Sequence, residues 1–239
     1  MTRRLILLRH GQTTYNATGR MQGQLDTELS ALGREQAAKV GQYFARQQQA
    51  GQAAEFPIRR IIASDLSRAR ETAEIIAEEL QLPVTTDSRL RETHLGDWQE
   101  QSSDEVDRHS PGARAIWRHD ATWTPPGGES RVDVARRAQP VITELMAEFT
   151  AWDLHAVLVV AHGGTISALT SKLLGVPVDH YPLLSGLKNT CWSQLSARPV
   201  FDPAHPTGAV AFAEVARETG AMPDASWYLD AWNAGVLEG

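Results

Sequence analysis

The sequence predicts an α/β fold: a three-layer sandwich with a mostly parallel central sheet flanked by helices. Three observations carry that expectation. The runs Leu5–Leu8, Ile58–Ala63 and Val157–Ala161 have the length and the aliphatic content of strands in a buried parallel sheet. Stretches with helical apolar spacing lie between and after them, so strand and helix alternate. Two of the runs also end alike, in Arg9-His10-Gly11 and in His162-Gly163-Gly164. Ligands of open α/β sheets gather outside the carboxyl ends of the strands. Both histidines therefore project at one edge of one sheet, with glycine letting the backbone approach a ligand closely.

The elements follow in order. Leu5–Leu8 is the first strand, and residues 12–28 form a polar loop. Ser30 caps a helix reaching about Gln47, with Leu32, Gln36, Val40 and Phe44 on one face. Gln47 to Pro57 is a polar connection. Ile58–Ala63 is the second strand. Ser64-Asp65 caps the next helix, striped by Leu66, Ala69, Ala73, Ile76 and Leu80. Pro83 ends it, and Val84 opens a short edge strand. Residues 87–128 are less regular, with turn signals at Pro111-Gly112 and Pro125-Pro126-Gly127-Gly128 and a short helix over Ala113–Arg118. Ser130 caps a helix with Val134, Ala138, Val141, Leu145 and Phe149 inward, and Pro140 should kink it. The strand to Ala161 is followed by a helix from Thr165 to Leu174. Trp192–Leu195 and Val210–Glu214 alternate like outer strands.

Size and composition bound the rest. At 239 residues, with 42% hydrophobic and 22% charged residues, the chain has the profile of a soluble globular protein with a sizeable core. Without repeats or a second core, it reads as a single domain over residues 1–239, with residues 97–128 as an insertion covering the sheet edge. No apolar stretch approaches the roughly 18–20 residues of a membrane span. Leu5–Leu8 is shorter than the roughly 7–15 residues of a signal-peptide core. The single cysteine, Cys191, cannot form an internal disulfide. These features predict a cytoplasmic protein. A net charge of −6 argues against nucleic-acid binding, so attraction for a phosphorylated ligand must come from a local cationic cluster.

The candidate chemistry centres on His10. A neutral imidazole can attack phosphorus and form a covalent intermediate, and the guanidinium of Arg9 matches phosphate oxygens. A lone histidine is often only structural, but a second at another strand end, His162, makes coincidence the weaker reading. It could hold the oxygens of a transferring phosphoryl group. Arg68 and Arg70 both sit in the first turns of the second long helix, where periodicity cannot choose between them. A carboxyl group must protonate the leaving oxygen and then deprotonate the attacking water, and position alone leaves Glu92, Asp97 and Glu100 open. His94, His109 and His119 lack a metal-ligand spacing and read as loop or surface residues, so no metal is predicted. Trp98, Trp117 and Trp123 invite a sugar-stacking role, but core packing is the expectation for at least two of them.

Taken together, these motifs resemble the histidine phosphatase superfamily, in its phosphoglycerate mutase-like branch. The pieces are Arg9–Asn16, Gly19–Asp26, Ser64–Ala69, Leu90–Trp98 and Ala161–Gly164, in that order and across nearly the whole chain. The resemblance implies that His10 becomes phosphohistidine, that Arg9, Arg68 and His162 bind the phosphoryl group, and that Glu92 donates the proton. It places Asn16, Gln22, Gly23 and Gly163 around the substrate and implies no cofactor. A narrower similarity, over residues 20–30 and 90–134, is to the glucosyl-3-phosphoglycerate phosphatases. It implies a small phosphorylated sugar-acid substrate, release of glucosylglycerate toward methylglucose polysaccharide, and a homodimer. Family mutases typically carry asparagine after the second His-Gly, where this chain has Gly164, and a basic stretch where it has Leu95–Glu100. A phosphatase is therefore expected over a mutase. A broad-specificity phosphatase is the other alternative. A non-catalytic phosphate binder is disfavoured because His10, Glu92 and His162 are all present.

Overall fold

Six strands form one sheet in the order β3-β2-β4-β1-β5-β6 in the computed structural model, which describes residues 2–49, 57–149, 151–152, 155–200 and 224–236. The strands are β1 (Arg3–Arg9), β2 (Ile58–Ala63), β3 (Val84–Thr86), β4 (Ala156–Ala161), β5 (Trp192–Pro199) and β6 (Ala225–Ala234). The first four run parallel to one another, while β5 adds antiparallel to β1 and β6 antiparallel to β5. The expected mostly parallel sheet is present. Strand β6 escaped the sequence reading, and the strand expected over Val210–Glu214 lies outside the described residues.

Alternation along the central strands builds two cores. Leu5 and Leu7 of β1, with Val157, Val159 and Ala161 of β4, face one layer. Ile6 and Leu8, with Leu158 and Val160, face the other. The first core is closed by α6 (Arg131–Glu148) and α7 (Gly163–Leu173) through Ala138, Val141, Ile142, Leu145, Ile166 and Leu169. The second is closed by α2 (Ala31–Gln49) and α3 (Ser67–Leu80) through Val40, Phe44, Ala69, Ala73 and Ile76. A short α1 (Thr14–Ala17), held by a Thr13/Asn16 capping box, breaks the stretch read as loop. Two more short helices, α4 (Ser103–His109) and α5 (Ala113–His119), occupy the irregular region. Trp98 is buried there, edge-on to Trp117 at 5.8 Å and beside Trp123 at 5.4 Å.

Several local expectations need correction. Ser64-Asp65 does not cap α3. The helix starts at Ser67, and Asp26 supplies the cap from the loop, accepting from the Ser67 N–H (2.7 Å) and hydroxyl (2.9 Å). Asp65 pairs instead with Arg91 at 2.6 Å. Leu32 is 46% exposed, because the inward face of α2 runs through Ala37, Val40 and Phe44. Helix α6 stays helical through an exposed Pro140 and ends one residue before Phe149. Gly11 serves backbone packing more than ligand approach: a Cβ there would lie 2.4 Å from the Gly33 carbonyl oxygen at the start of α2. Among the described residues, no helix is long and apolar enough to cross a membrane.

Candidate active site

Strand register brings the two histidines together. β1 and β4 pair with Arg9 opposite Ala161, so the next residues, His10 and His162, fall side by side on the same face. Their ring centroids are 5.2 Å apart. The His10 N–H donates to the Ala161 carbonyl at 3.1 Å, extending the ladder into the site. The loop from α7 to β5 braces these residues. The Asn189 amide donates to the His10 carbonyl (3.0 Å) and to the Asn16 side-chain oxygen (3.2 Å).

His10 is buried, with only its cavity edge exposed. Its Nδ1 lies 2.7 Å from the Gly11 carbonyl, which can only accept, so Nδ1 carries the proton and Nε2 keeps its lone pair. Burial, followed by the charges of Arg68 and Arg9, pushes its pKa well below the usual 6.5. The ring is therefore neutral at physiological pH, the form in which nitrogen is a nucleophile. Burial and the same cations also hold His162 well below 6.5.

Both arginines are anchored by main-chain carbonyls. Arg9 Nη1 donates to Leu187 O at 2.5 Å. Arg68 Nη1 donates to Leu25 O (2.7 Å), and Nη2 to Gly23 O (2.8 Å). Burial lowers the Arg68 pKa to about 10, against the opposing charge of Glu92, so it stays cationic at neutral pH. The Nε atoms of both arginines and both ring nitrogens of His162 are buried without a hydrogen-bond partner. Buried polar atoms are normally satisfied. Several such donors converging beside His10 suit an anion with several acceptor oxygens.

Glu92 faces the same space. Its Oε1 accepts from the Thr93 N–H (2.8 Å) and the Thr165 N–H (3.1 Å), and its Oε2 from the Gly164 N–H (3.1 Å). It thus caps the start of α7, where the N-cap residue His162 contributes no side-chain bond. Gly164 makes room for this, since a Cβ there would lie 2.5 Å from Glu92 Oε1.

A cavity of about 200 Å³ is lined by Arg9, His10, Asn16, Gln22, Gly23, Arg68 and Glu92. His162 stands behind it against His10. Gly163 does not line the cavity; a Cβ there would lie 3.6 Å from Arg9 Nε. Arg70 points away and pairs with Glu74, and Asp97 and Glu100 are exposed. Sequence reasoning missed Arg20, Met21, Thr93 and Leu95 as wall residues, and Asn189 as the brace of His10 and Asn16. None of these types signals a site on its own. Of the three tryptophans, Trp117 reaches the cavity wall. His109 and His119 are exposed, and His94 Nδ1 accepts from the Gly96 N–H. Among the described residues, no three histidine, cysteine or acidic side chains group as metal ligands.

Fold and geometry define a class: an α/β protein that gathers imidazoles and guanidinium groups at the carboxyl edge of its parallel strands. The chain belongs to the histidine phosphatase superfamily (branch 1), whose family model matches residues 5–200. It is 48% identical over 236 residues to the glucosyl-3-phosphoglycerate phosphatase of Mycolicibacterium vanbaalenii, covering 97% of this chain and 95% of that one. The Mycobacterium tuberculosis protein of the same name is 46% identical over 237 residues, with the same coverage. A solved mycobacterial glucosyl-3-phosphoglycerate phosphatase in complex with VO3 superposes with a TM-score of 0.81 at 45% identity, covering 98% of this chain and 100% of that one.

Proposed function

We propose that this chain is a phosphomonoesterase that hydrolyses glucosyl-3-phosphoglycerate to glucosylglycerate and phosphate through a phosphohistidine on His10. The carrying observation is the fixed tautomer of a buried, neutral His10, whose free Nε2 stands among cations with unsatisfied donors. Nε2 attacks phosphorus, and Arg9, Arg68 and His162 hold the equatorial oxygens as charge builds. Glu92 gives its proton to the departing glycerate oxygen, then takes one from the water that cleaves the phosphohistidine. Asn16, Gln22 and Gly23 shape the rest of the pocket. The relatives' shared name supports the sugar-acid substrate.

The test is a kinetic panel of glucosyl-3-phosphoglycerate, mannosyl-3-phosphoglycerate, 3-phosphoglycerate and an aryl phosphate. The expected result is a much higher kcat/KM for the glucosyl ester than for free 3-phosphoglycerate, because contacts remote from phosphorus can be used to raise kcat. Similar kcat/KM for all esters would make this a broad-specificity phosphatase. Isomerisation of phosphoglycerate faster than phosphate release would make it a mutase. We further read the chain as one domain with residues 97–128 as a cover, which Trp117 on the cavity wall supports. A cytoplasmic setting, a role toward methylglucose polysaccharide and a homodimer complete this reading. The exposed Tyr228 and Leu229 of β6 support the dimer, which sedimentation would test.

A further inference from the structure

Glu92 is held at both ends. Its carboxyl group meets the start of α7, and its main chain meets a second set of groups outside the cavity. Arg137, in the second turn of α6, donates from Nη1 to Arg89 O (2.7 Å) and from Nη2 to Glu92 O (2.9 Å). Its Nε and Nη2 also bond the Glu129 carboxylate at 2.9 and 3.0 Å. Glu129 in turn accepts from the His94 N–H at 2.8 Å, and its own N–H donates to the His94 carbonyl at 2.8 Å. The pair therefore grips Arg89, Glu92 and His94, on both sides of the cavity carboxylate. Gln24, from the loop that also binds Arg68, adds a bond from Nε2 to Glu92 O at 3.1 Å.

Neither Arg137 nor Glu129 lines the cavity. Both side chains are mostly buried, with 21% and 25% exposed. The pair is not an ordinary surface ion pair, which contributes little. A guanidinium that satisfies two main-chain carbonyls and a carboxylate at once uses the fork geometry a lysine lacks. Segment 88–94 has only a single turn of 3₁₀ helix and no ladder of its own. Without external bonds, little would fix the Glu92 α-carbon.

We propose that Arg137 and Glu129 are positioning residues that fix the main chain of Glu92, so that its carboxyl group stands where the leaving oxygen needs a proton. This rests on Glu92 being the proton donor. Displacing a catalytic group by about 1 Å can cost about 10²-fold in rate. That loss should fall on esters whose alcohol needs protonation and spare an activated aryl ester, whose leaving group departs unaided.

The experiment uses the full chain and two substrates, glucosyl-3-phosphoglycerate and 4-nitrophenyl phosphate. Arg137→Met should lower kcat on the sugar-acid ester by about 10²-fold, with KM little changed and the aryl ester nearly unaffected. Glu129→Gln, close in size to the native side chain, should shift the same ratio less, and it decides the matter if Arg137→Met fails to fold. Arg137→Lys should recover only part of the loss. In a Glu92→Gln background, Arg137→Met should cost nothing further on the sugar-acid ester. Equal losses on both esters in Arg137→Met and Glu129→Gln would overturn the proposal, as would a full further loss in the Glu92→Gln background. Glu92→Gln alone separates the two failures. Equal losses on both esters there reject the proton-donor role itself, whereas a selective loss there leaves that role standing and rejects only the clamp.

Discussion

Replacing Gly164 with alanine perturbs one atom position beside the candidate proton donor. The new Cβ would lie 2.5 Å from Glu92 Oε1 and 2.7 Å from Thr93 Oγ1. Ordinary contact begins near 3.4 Å, so the carboxyl end must retreat from 2.5 to 3.4 Å, about 0.9 Å. It is the tip of a flexible side chain and can do so. The bonds from the Gly164 and Thr165 N–H groups, each 3.1 Å now, would stretch past useful length. Stability should fall measurably. Alanine in the first turn of α7 gains up to about 1 kcal/mol over glycine, which offsets only part of the about 1.5–3 kcal/mol for each of the two hydrogen bonds to a charged group. Catalysis should suffer more. A misplacement of this size costs about 10²-fold, within the roughly 10²–10⁴-fold that general acid assistance supplies. The assay is kcat on the sugar-acid ester and on 4-nitrophenyl phosphate, with the melting temperature alongside. A selective loss on the sugar-acid ester with a lowered melting temperature is expected. Unchanged kcat on both esters would refute the reasoning, and so would equal losses on both.

Three further outcomes follow from the same geometry. His10→Ala should abolish turnover and trap no phosphoenzyme after rapid quench; near-native activity would rule out the covalent route. Chelators should leave the rate unchanged, because Arg9, Arg68 and the two imidazoles supply the electrostatic stabilisation; inhibition by EDTA reversed by a divalent ion would contradict that. Stability should fall as the pH drops below about 6.5, where the unfolded chain binds protons that buried His10 and His162 refuse. Each histidine contributes up to about 1.4 kcal/mol per pH unit. Urea midpoints between pH 7 and 5.5 should therefore decline, and less steeply in His10→Gln; identical slopes would remove His10 from the account.

Legibility of the sequence followed how local each determinant was. The buried strands, the amphipathic helices α2, α3 and α6, and the strand-end histidines rest on periodicity and short motifs, and all could be read. Strand β6 could not, because its pairing with β5 is fixed by a distant partner rather than by its own pattern. The cap of α3 was misplaced for the same reason: the acceptor is Asp26, 41 residues away. Resemblance alone favours Arg68 over Arg70. The structure separates the two physically: Arg68 is 1% exposed beneath the loop, and Arg70 faces solvent toward Glu74. Glu92 likewise stands apart from Asp97 and Glu100 only once α7 supplies its backbone donors.

A chain with a net charge of −6 can still present a cationic pocket because of what its arginines are bonded to. Arg34, Arg89, Arg91 and Arg114 all meet carboxylates, so their charge is largely matched. Arg9 and Arg68 meet carbonyl oxygens instead. A carbonyl orients a guanidinium without cancelling its charge. The arrangement around Arg68 is reciprocal. Helix α3 delivers the guanidinium to the carbonyls of Gly23 and Leu25, and the same loop returns Asp26 to cap α3. Neither the loop nor the arginine can shift without loosening the other. The local field that the overall charge could not provide therefore comes from main-chain anchoring, and the same bonds hold the donors still before any phosphate arrives.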